Sequence, residues 1–83
     1  MTPRVIKVKV EPEFCLDVQF ENGESGVLDM KPYLDFGVFR ALQAQTRFAE
    51  AVVAFGTIEW PGGLDLDPAF VYKNCEMAVP VSA

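Results

Sequence analysis

The strongest constraint in the sequence is an alternation of apolar and polar residues near its amino end. The apolar positions are Ile6, Val8 and Val10 in a first run and Leu16, Val18 and Phe20 in a second. A period of two predicts half-buried strands, and Pro12 between the runs favours a turn. An antiparallel hairpin places all six side chains on one face. In that register the pairs are Val10 with Leu16, Val8 with Val18, Ile6 with Phe20 and, on the polar face, Lys9 with Asp17.

The turn after the second strand has two interpretations. A two-residue loop at Asn22-Gly23 is the usual one, but it turns Val27 inward and moves Leu28 and Met30 to the charged face. A three-residue loop over residues 21–23, with Gly23 left-handed, keeps both large side chains on the apolar face. Because burial of each is worth roughly 1.5–3 kcal/mol, the sequence predicts the three-residue loop.

The period changes after Lys31-Pro32. Apolar side chains then recur at spacings of three and four, at Tyr33, Leu34, Phe36, Val38, Phe39 and Leu42. This spacing predicts short helical turns in place of a strand. Asp35 is a candidate N-cap for a turn over residues 37–43. A second turn is expected from Thr46, with Phe48 as its apolar anchor.

The last third of the chain returns to strand signals and ends in a helix. Apolar residues on both sides of Gly56-Thr57 predict two strands around a tight turn, and the sequence PGG over residues 61–63 ends that unit. Asp67 before Pro68 is typical of a helix start, with proline at the first helical position. The predicted helix runs to about Cys75. Its buried side chains are expected to be Phe70, Val71 and Cys75.

These elements predict one small α+β domain over residues 1–77. Its sheet is mostly antiparallel, with about five strands in the order β-β-β, short helices, β-β-α, and the final helix packs across the sheet. A length of 83 residues leaves room for a single core. Residues 78–83 have no apolar anchor and are expected to form a disordered tail.

The composition excludes several classes of function. Seven lysines and arginines against twelve acidic residues give a charge of −5. Because the sequence offers no basic patch, we do not expect this chain alone to bind nucleic acid. No apolar run approaches the roughly 20 residues that span a bilayer. The amino end lacks the charged-then-apolar order of a signal peptide. We therefore expect a cytoplasmic protein with no membrane partner.

Side chains that carry chemistry are sparse. The chain has no histidine, which is the commonest general base and metal ligand. Cys15 and Cys75 form no metal or redox spacing, and a nucleophilic thiol would need a base or a cation beside it. The glycines form no phosphate-binding loop. The sequence predicts neither an enzyme nor a cofactor.

The order of these signals resembles a known family. The residues that carry the resemblance are Asn22-Gly23-Glu24, Asp29, Pro32 with Leu34, Gly37 with Phe39 and Leu42, the run Ile58 to Pro68 (IEWPGGLDLDP) and Tyr72. They resemble the domain of unknown function 2442 family over residues 6–72. The resemblance implies a small bacterial α+β domain with no established activity. Some longer relatives carry a helix-turn-helix segment, and the genes of short relatives often lie beside a second small family, in a suggested toxin–antitoxin pair.

Two sets of residues are candidate sites. Asp65 and Asp67, with Glu59, are candidate oxygen ligands for a hard cation; the alternative, which we favour, is that Asp67 caps the last helix and Asp65 holds the glycine turn. Trp60 and Tyr72 are candidate partner-binding residues, because both residue types are enriched in interface hot spots. The alternative for this aromatic pair, which we favour, is that it closes the core.

The aromatic content adds one more expectation. Seven phenylalanines and a tryptophan are many for so small an interior, so part of this surface is expected to meet a protein partner or a second copy. Edge strands offer the simplest route. We therefore predict a non-catalytic protein-binding or regulatory module, of antitoxin-like type, as a homodimer or heteromer. The alternatives are a DNA-associated regulator that acts only with a partner, and a minor metal-binding protein.

Overall fold

The computed structural model describes residues 2–77, and the predicted tail over residues 78–83 lies outside them. The strands are β1 (Val5–Glu11), β2 (Cys15–Phe20), β3 (Ser25–Asp29), β4 (Val52–Ala54), β5 (Thr57–Trp60), β6 (Leu64–Asp65) and β7 (Glu76–Met77). Two 3₁₀ helices, Lys31–Tyr33 and Gly37–Gln43, and α1 (Gln45–Phe48) join β3 to β4, and α2 (Pro68–Asn74) precedes β7. The predicted α+β class and element order are confirmed.

The strands form two antiparallel sheets in place of the single sheet we expected. One has the order β1-β2-β3-β7 and the other the order β4-β5-β6. The sequence did not predict β6 and β7, because a strand of two residues has no period to detect. Pairing of β7 depends on Gly26, where an added Cβ would lie 2.7 Å from the carbonyl oxygen of Glu76. A glycine in β3 thus permits the close approach of the last strand.

The register of the first hairpin is confirmed except at one end. Val8 pairs with Val18, and Val10 with Leu16, as predicted. The pairing of Ile6 with Phe20 is wrong, because a bulge sets Val5 opposite Phe20. The bulge inserts one residue and so reverses the parity. Val5 is consequently buried, and Ile6 is 58% exposed.

The three-residue turn between β2 and β3 is confirmed. Gly23 has a φ of +90°, and the N–H of Phe20 donates to the carbonyl of Glu24 at 2.9 Å across the turn. Leu28 consequently lies opposite Leu16. Leu28 and Met30 are both fully buried, as the burial argument required.

The helical segments differ from the prediction in their caps. Asp35 does not cap the 3₁₀ helix Gly37–Gln43, because the extended Phe36 takes the N-cap position without a side-chain bond. Asp35 Oδ1 instead accepts a hydrogen bond from Gln43 Nε2 at 3.1 Å. Helix α1 begins one residue before the predicted Thr46. Its anchor, Phe48, is buried as expected.

Helix α2 begins as predicted. Asp67 is its N-cap, and Asp67 Oδ1 accepts a hydrogen bond from the N–H of Ala69 at 3.3 Å. Val71 and Cys75 are buried in the core, whereas Phe70 is only half-buried. The core is formed by side chains from both sheets, the connecting segment and α2. Its buried apolar members are Val5, Leu16, Val18, Phe20, Leu28, Met30, Leu34, Leu42, Phe48, Ile58, Trp60, Leu66, Val71 and Cys75.

Within residues 2–77, the one polar side chain buried with this core has a hydrogen-bond partner. Thr57 Oγ1 donates to the carbonyl of Leu66 at 2.7 Å, which removes the penalty of an unpaired buried hydroxyl. The helices between residues 2 and 77 are all too short or too polar to cross a membrane.

Candidate functional site

The acidic candidates lie at one end of the smaller sheet. Glu59 pairs directly with Asp65 across β5 and β6, and like charges in this position destabilise a sheet. Asp67 lies beyond β6, where it caps α2. Within residues 2–77, no three carboxylate or thiol groups gather as a metal site requires. The structure thus brings two of the candidates together and gives the third a capping role.

Trp60 and Tyr72 have different surroundings. Trp60 is fully buried, and its indole N–H donates to the carbonyl of Phe48 at 2.9 Å. Its side chain therefore offers no surface to a partner. Tyr72 is half-buried, and its ring meets the Phe20 ring edge-on with centroids 5.2 Å apart.

The hydroxyl of Tyr72 joins α2 to the turn between β2 and β3. It donates to Glu24 Oε1 at 2.6 Å, and Asn22 Nδ2 donates to the same oxygen. The Tyr72 hydroxyl, and to a smaller extent the Asn22 amide, hold the pKa of Glu24 below its usual value. The hydrogen bond to Glu24 also raises the pKa of Tyr72. Both pKa changes are those expected when the Tyr72 hydroxyl donates a hydrogen bond to an ionised Glu24 carboxylate.

The cysteines are both free and have different environments. Cys15 Sγ lies 3.8 Å from Lys31 Nζ, but this ammonium is also 3.1 Å from Asp29 Oδ1. Burial, with a smaller contribution from Asp17, raises the pKa of Cys75 to about 11. The Cys75 thiol therefore stays protonated at neutral pH, and a protonated thiol is a poor nucleophile.

Two turns contain a phenylalanine with left-handed backbone geometry. Phe14 has a φ of +60°, with Glu13 before it at +62°, and Phe55 has a φ of +52°. Bulky residues rarely adopt this region, because the Cβ approaches the backbone. Each such residue costs on the order of 1–3 kcal/mol unless its surroundings compensate.

The surroundings of Phe14 supply that compensation. Its ring meets the ring of Phe48 edge-on, with centroids 5.2 Å apart. Its carbonyl accepts a hydrogen bond from the N–H of Met30 at 2.9 Å, and Lys31 Nζ donates to the carbonyl of Glu13 at 3.0 Å. The strained turn thus holds an aromatic ring against the core.

An open groove of about 630 Å³ lies between this turn and α1. Phe14 and Phe48 form part of its lining, together with the polar side chains of Gln45 and Thr46. Its charged lining residues are Glu11 and Glu13. The groove therefore combines apolar packing with two carboxylates, and no cation or thiol lines it within residues 2–77.

Within residues 2–77, Phe55 has no comparable aromatic contact. It forms a two-residue turn with Gly56 between the paired residues Ala54 and Thr57, so the turn lies at residues 55–56 and not at the predicted Gly56-Thr57. Both turn residues have positive φ values, which defines a type I′ turn. The backbone is held in place, because the carbonyl of Gly56 accepts a hydrogen bond from the N–H of Val5 at 2.9 Å. The side chain of Phe55 is 93% exposed.

The strand before this turn is also apolar and exposed. Val52 is 51% exposed and Val53 is 36% exposed, and β4 is the outer strand of its sheet. We call the exposed side chains of Val52, Val53 and Phe55 the hairpin surface. Residues 51–58 contain no charged side chain, although natural edge strands usually carry charges that prevent pairing with other chains.

Sequence reasoning missed Phe55 as a candidate site residue. The available signal was its position before Gly56, since the first residue of a type I′ turn is normally Asn, Asp or Gly. A phenylalanine at this place is unfavourable for the turn and for solvation. The apolar pattern of Val52, Val53 and Phe55 indicates the end of a strand, and this interpretation hides both costs.

The fold and its surface define a small α+β domain with a strained, apolar hairpin. A family model described as "Protein of unknown function (DUF2442)" matches residues 5–76. The chain therefore belongs to this family, as its resemblance predicted. No curated protein and no solved structure matches the chain.

Proposed function

We propose that this chain is a non-catalytic protein-binding module and that the hairpin surface is its binding site. The observation that carries the proposal is Phe55, which combines a left-handed backbone with 93% exposure. Each property is unfavourable in the isolated chain. Contact with a partner would offset both the backbone strain and the exposure of the ring, because a buried phenylalanine ring contributes a large apolar area.

The rest of the hairpin supports this proposal. Val52 and Val53 extend the apolar area along the edge strand beside Phe55. The nearest side chain to Gly56 is that of Arg4, since a Cβ on Gly56 would lie 2.8 Å from Arg4 Nε. Aromatic residues and arginine are both enriched at protein interfaces.

A second exposed aromatic residue provides a reference for this surface. Phe36 is 65% exposed in the segment between the 3₁₀ helices, but its φ is −104°. Phe36 is thus exposed but has an unstrained backbone, unlike Phe55. We therefore assign binding to Phe55 and use Phe36 as the matched control.

An antitoxin-like role is the regulatory form of this proposal, and it is supported by the family resemblance. In that form the partner is the protein encoded beside this chain, and both act in the cytoplasm. Binding of DNA is not part of the proposal, because the charge of −5 opposes contact with phosphates.

The proposal is tested by measuring association of the purified chain, both with itself and with the co-expressed product of the adjacent gene. We expect at least one complex for the wild-type chain, weakened at least tenfold by Phe55→Asn. Phe36→Asn, which also removes an exposed phenylalanine ring, is expected to leave that complex unchanged. A wild-type chain that forms neither complex contradicts the proposal. Equal weakening of the complex by Phe55→Asn and Phe36→Asn also contradicts it.

A further inference from the structure

We infer that the hairpin surface binds a second copy of this chain, through antiparallel pairing of β4 with β4 of the second copy. This inference rests on the proposed function and names its partner. It joins the two three-stranded sheets into one sheet of six strands. Strand addition of this kind uses main-chain hydrogen bonds for affinity and side chains for specificity.

The outer edge of β4 has the backbone groups that this pairing needs. In a two-residue hairpin the residues that flank the turn, Ala54 and Thr57, form the hydrogen-bonded pair. The next pair, Val53 and Ile58, is therefore not hydrogen-bonded, and the N–H and carbonyl of Val53 point away from β5. Within residues 2–77, no backbone hydrogen bond joins Val53 to another element.

The sequence of β4 allows antiparallel pairing with β4 of a second copy. A two-fold axis at Val53 sets this residue opposite Val53 of the second copy and Ala54 opposite Val52 of the second copy. Phe55 then approaches Ala51 of the second copy, whose small side chain leaves room for the ring. No charged residue lies between residues 51 and 58, so two chains of charge −5 can meet here without like charges in contact.

The other edge strands are less suitable for such pairing. In the described part of the chain, the outer strands besides β4 are β1, β6 and β7. They carry Lys7 and Lys9, Asp65, and Glu76, respectively. Self-pairing would bring like charges close together at each of these strands, which is unfavourable. Charge thus selects β4 for contact between identical chains.

The size of the surface sets the expected affinity. Val52, Val53 and Phe55 together expose on the order of 300 Å² per copy, of which the phenylalanine supplies more than half. Two copies then bury less than the roughly 1,200–2,000 Å² of a stable complex. We therefore expect a weak, reversible dimer that forms in the range of about 10 µM to 1 mM.

The test is sedimentation equilibrium of the full chain over this concentration range. The variants Val53→Lys and Val53→Glu each place like charges at the two-fold axis, and each is expected to weaken association at least tenfold. An equimolar mixture of the two variants is expected to restore it, because lysine then lies opposite glutamate. Val27→Lys, at a valine 43% exposed on β3, is expected to leave association unchanged. Circular dichroism of each variant establishes that it is folded.

Three outcomes would overturn the inference. They are a wild-type chain that stays monomeric at about 1 mM, a dimer unaffected by both charged variants, and a mixture that stays monomeric. If the wild-type chain is monomeric but binds the adjacent gene product through Phe55, self-pairing fails and the proposed function stands. If that binding is absent as well, both fail.

Discussion

The β1–β2 turn and the β4–β5 turn both contain a phenylalanine with a strained backbone, but the two side chains have opposite surroundings. Each contains a phenylalanine in the left-handed region, Phe14 at a φ of +60° and Phe55 at a φ of +52°. The ring of Phe14 packs on Phe48, so the fold itself compensates the strain. The ring of Phe55 lies in solvent. Similar backbone strain is thus compensated by packing within the chain in one turn and not in the other.

The β2–β3 turn is a useful third case. There Gly23 takes the positive φ without strain, and the turn is attached to α2 by the polar contact of Tyr72 with Glu24. Where a turn serves the fold alone, the chain uses glycine or an aromatic ring that packs. Phe55 fits neither solution, and this contrast supports a role in binding.

The largest expected effect belongs to Phe14→Asn. The substitution relieves the backbone strain, because asparagine tolerates the left-handed region, but it removes the ring from Phe48. We expect a net loss of about 2 kcal/mol in the free energy of unfolding. Urea denaturation followed by tryptophan fluorescence measures it, since Trp60 is fully buried. Unchanged stability would show that the Phe14 ring contributes no more to the fold than the backbone strain that asparagine relieves.

The same substitution at the other turn should have the opposite sign. Phe55→Asn gives the turn an asparagine before Gly56, the preferred pair for a type I′ turn, and removes no packed ring. We expect a gain of about 1 kcal/mol in the free energy of unfolding. Thermal and urea denaturation at low protein concentration measure it. A loss as large as that of Phe14→Asn would mean that Phe55 serves the fold.

The smallest effect is expected at the polar turn. Tyr72→Phe keeps the ring contact with Phe20 and removes the hydrogen bond to Glu24. The lowered pKa of Glu24 means that this bond stabilises the fold above the unfolded pKa of 4.5 and is lost as the pH falls through the lower folded value. The raised pKa of Tyr72 means that stability is also lost as the pH rises through its folded value above 10.0.

The test measures the free energy of unfolding of the wild-type chain and of Tyr72→Phe between about pH 3 and pH 11. We expect the stability of the wild-type chain to decline more steeply than that of Tyr72→Phe at both ends of the range. Phe20→Leu, which alters the ring contact and keeps the hydroxyl, is the control for packing. Identical pH profiles of the wild-type chain and Tyr72→Phe would contradict the assignment.

The parts of the fold that could be predicted are those with a repeating pattern. The alternation over the first two strands predicted the hairpin, and the burial of Leu28 and Met30 predicted the bulged turn. Asp67 before Pro68 predicted the start of α2. In each case the deciding interaction lies between residues close in sequence or related by strand parity.

The parts that could not be predicted depend on contacts distant in sequence. The bulge at Ile6 accompanies a bond from Val5 to Gly56, about fifty residues away. The partner of the Trp60 indole, the carbonyl of Phe48, is likewise not indicated by any local pattern. The two-residue turn was misplaced because Phe55 is a poor residue for it. That local conflict marks the candidate site.

The central claim is that Phe55 is exposed in the free chain and covered in its complex. The most direct measurement is the ¹⁹F resonance of 4-fluorophenylalanine placed at residue 55, recorded from about 10 µM to 1 mM chain and with the adjacent gene product. The same label at residue 36 is the reference. We predict that the resonance at residue 55 shifts with association while the resonance at residue 36 stays constant. A constant resonance at residue 55, or a shift confined to residue 36, would contradict the account.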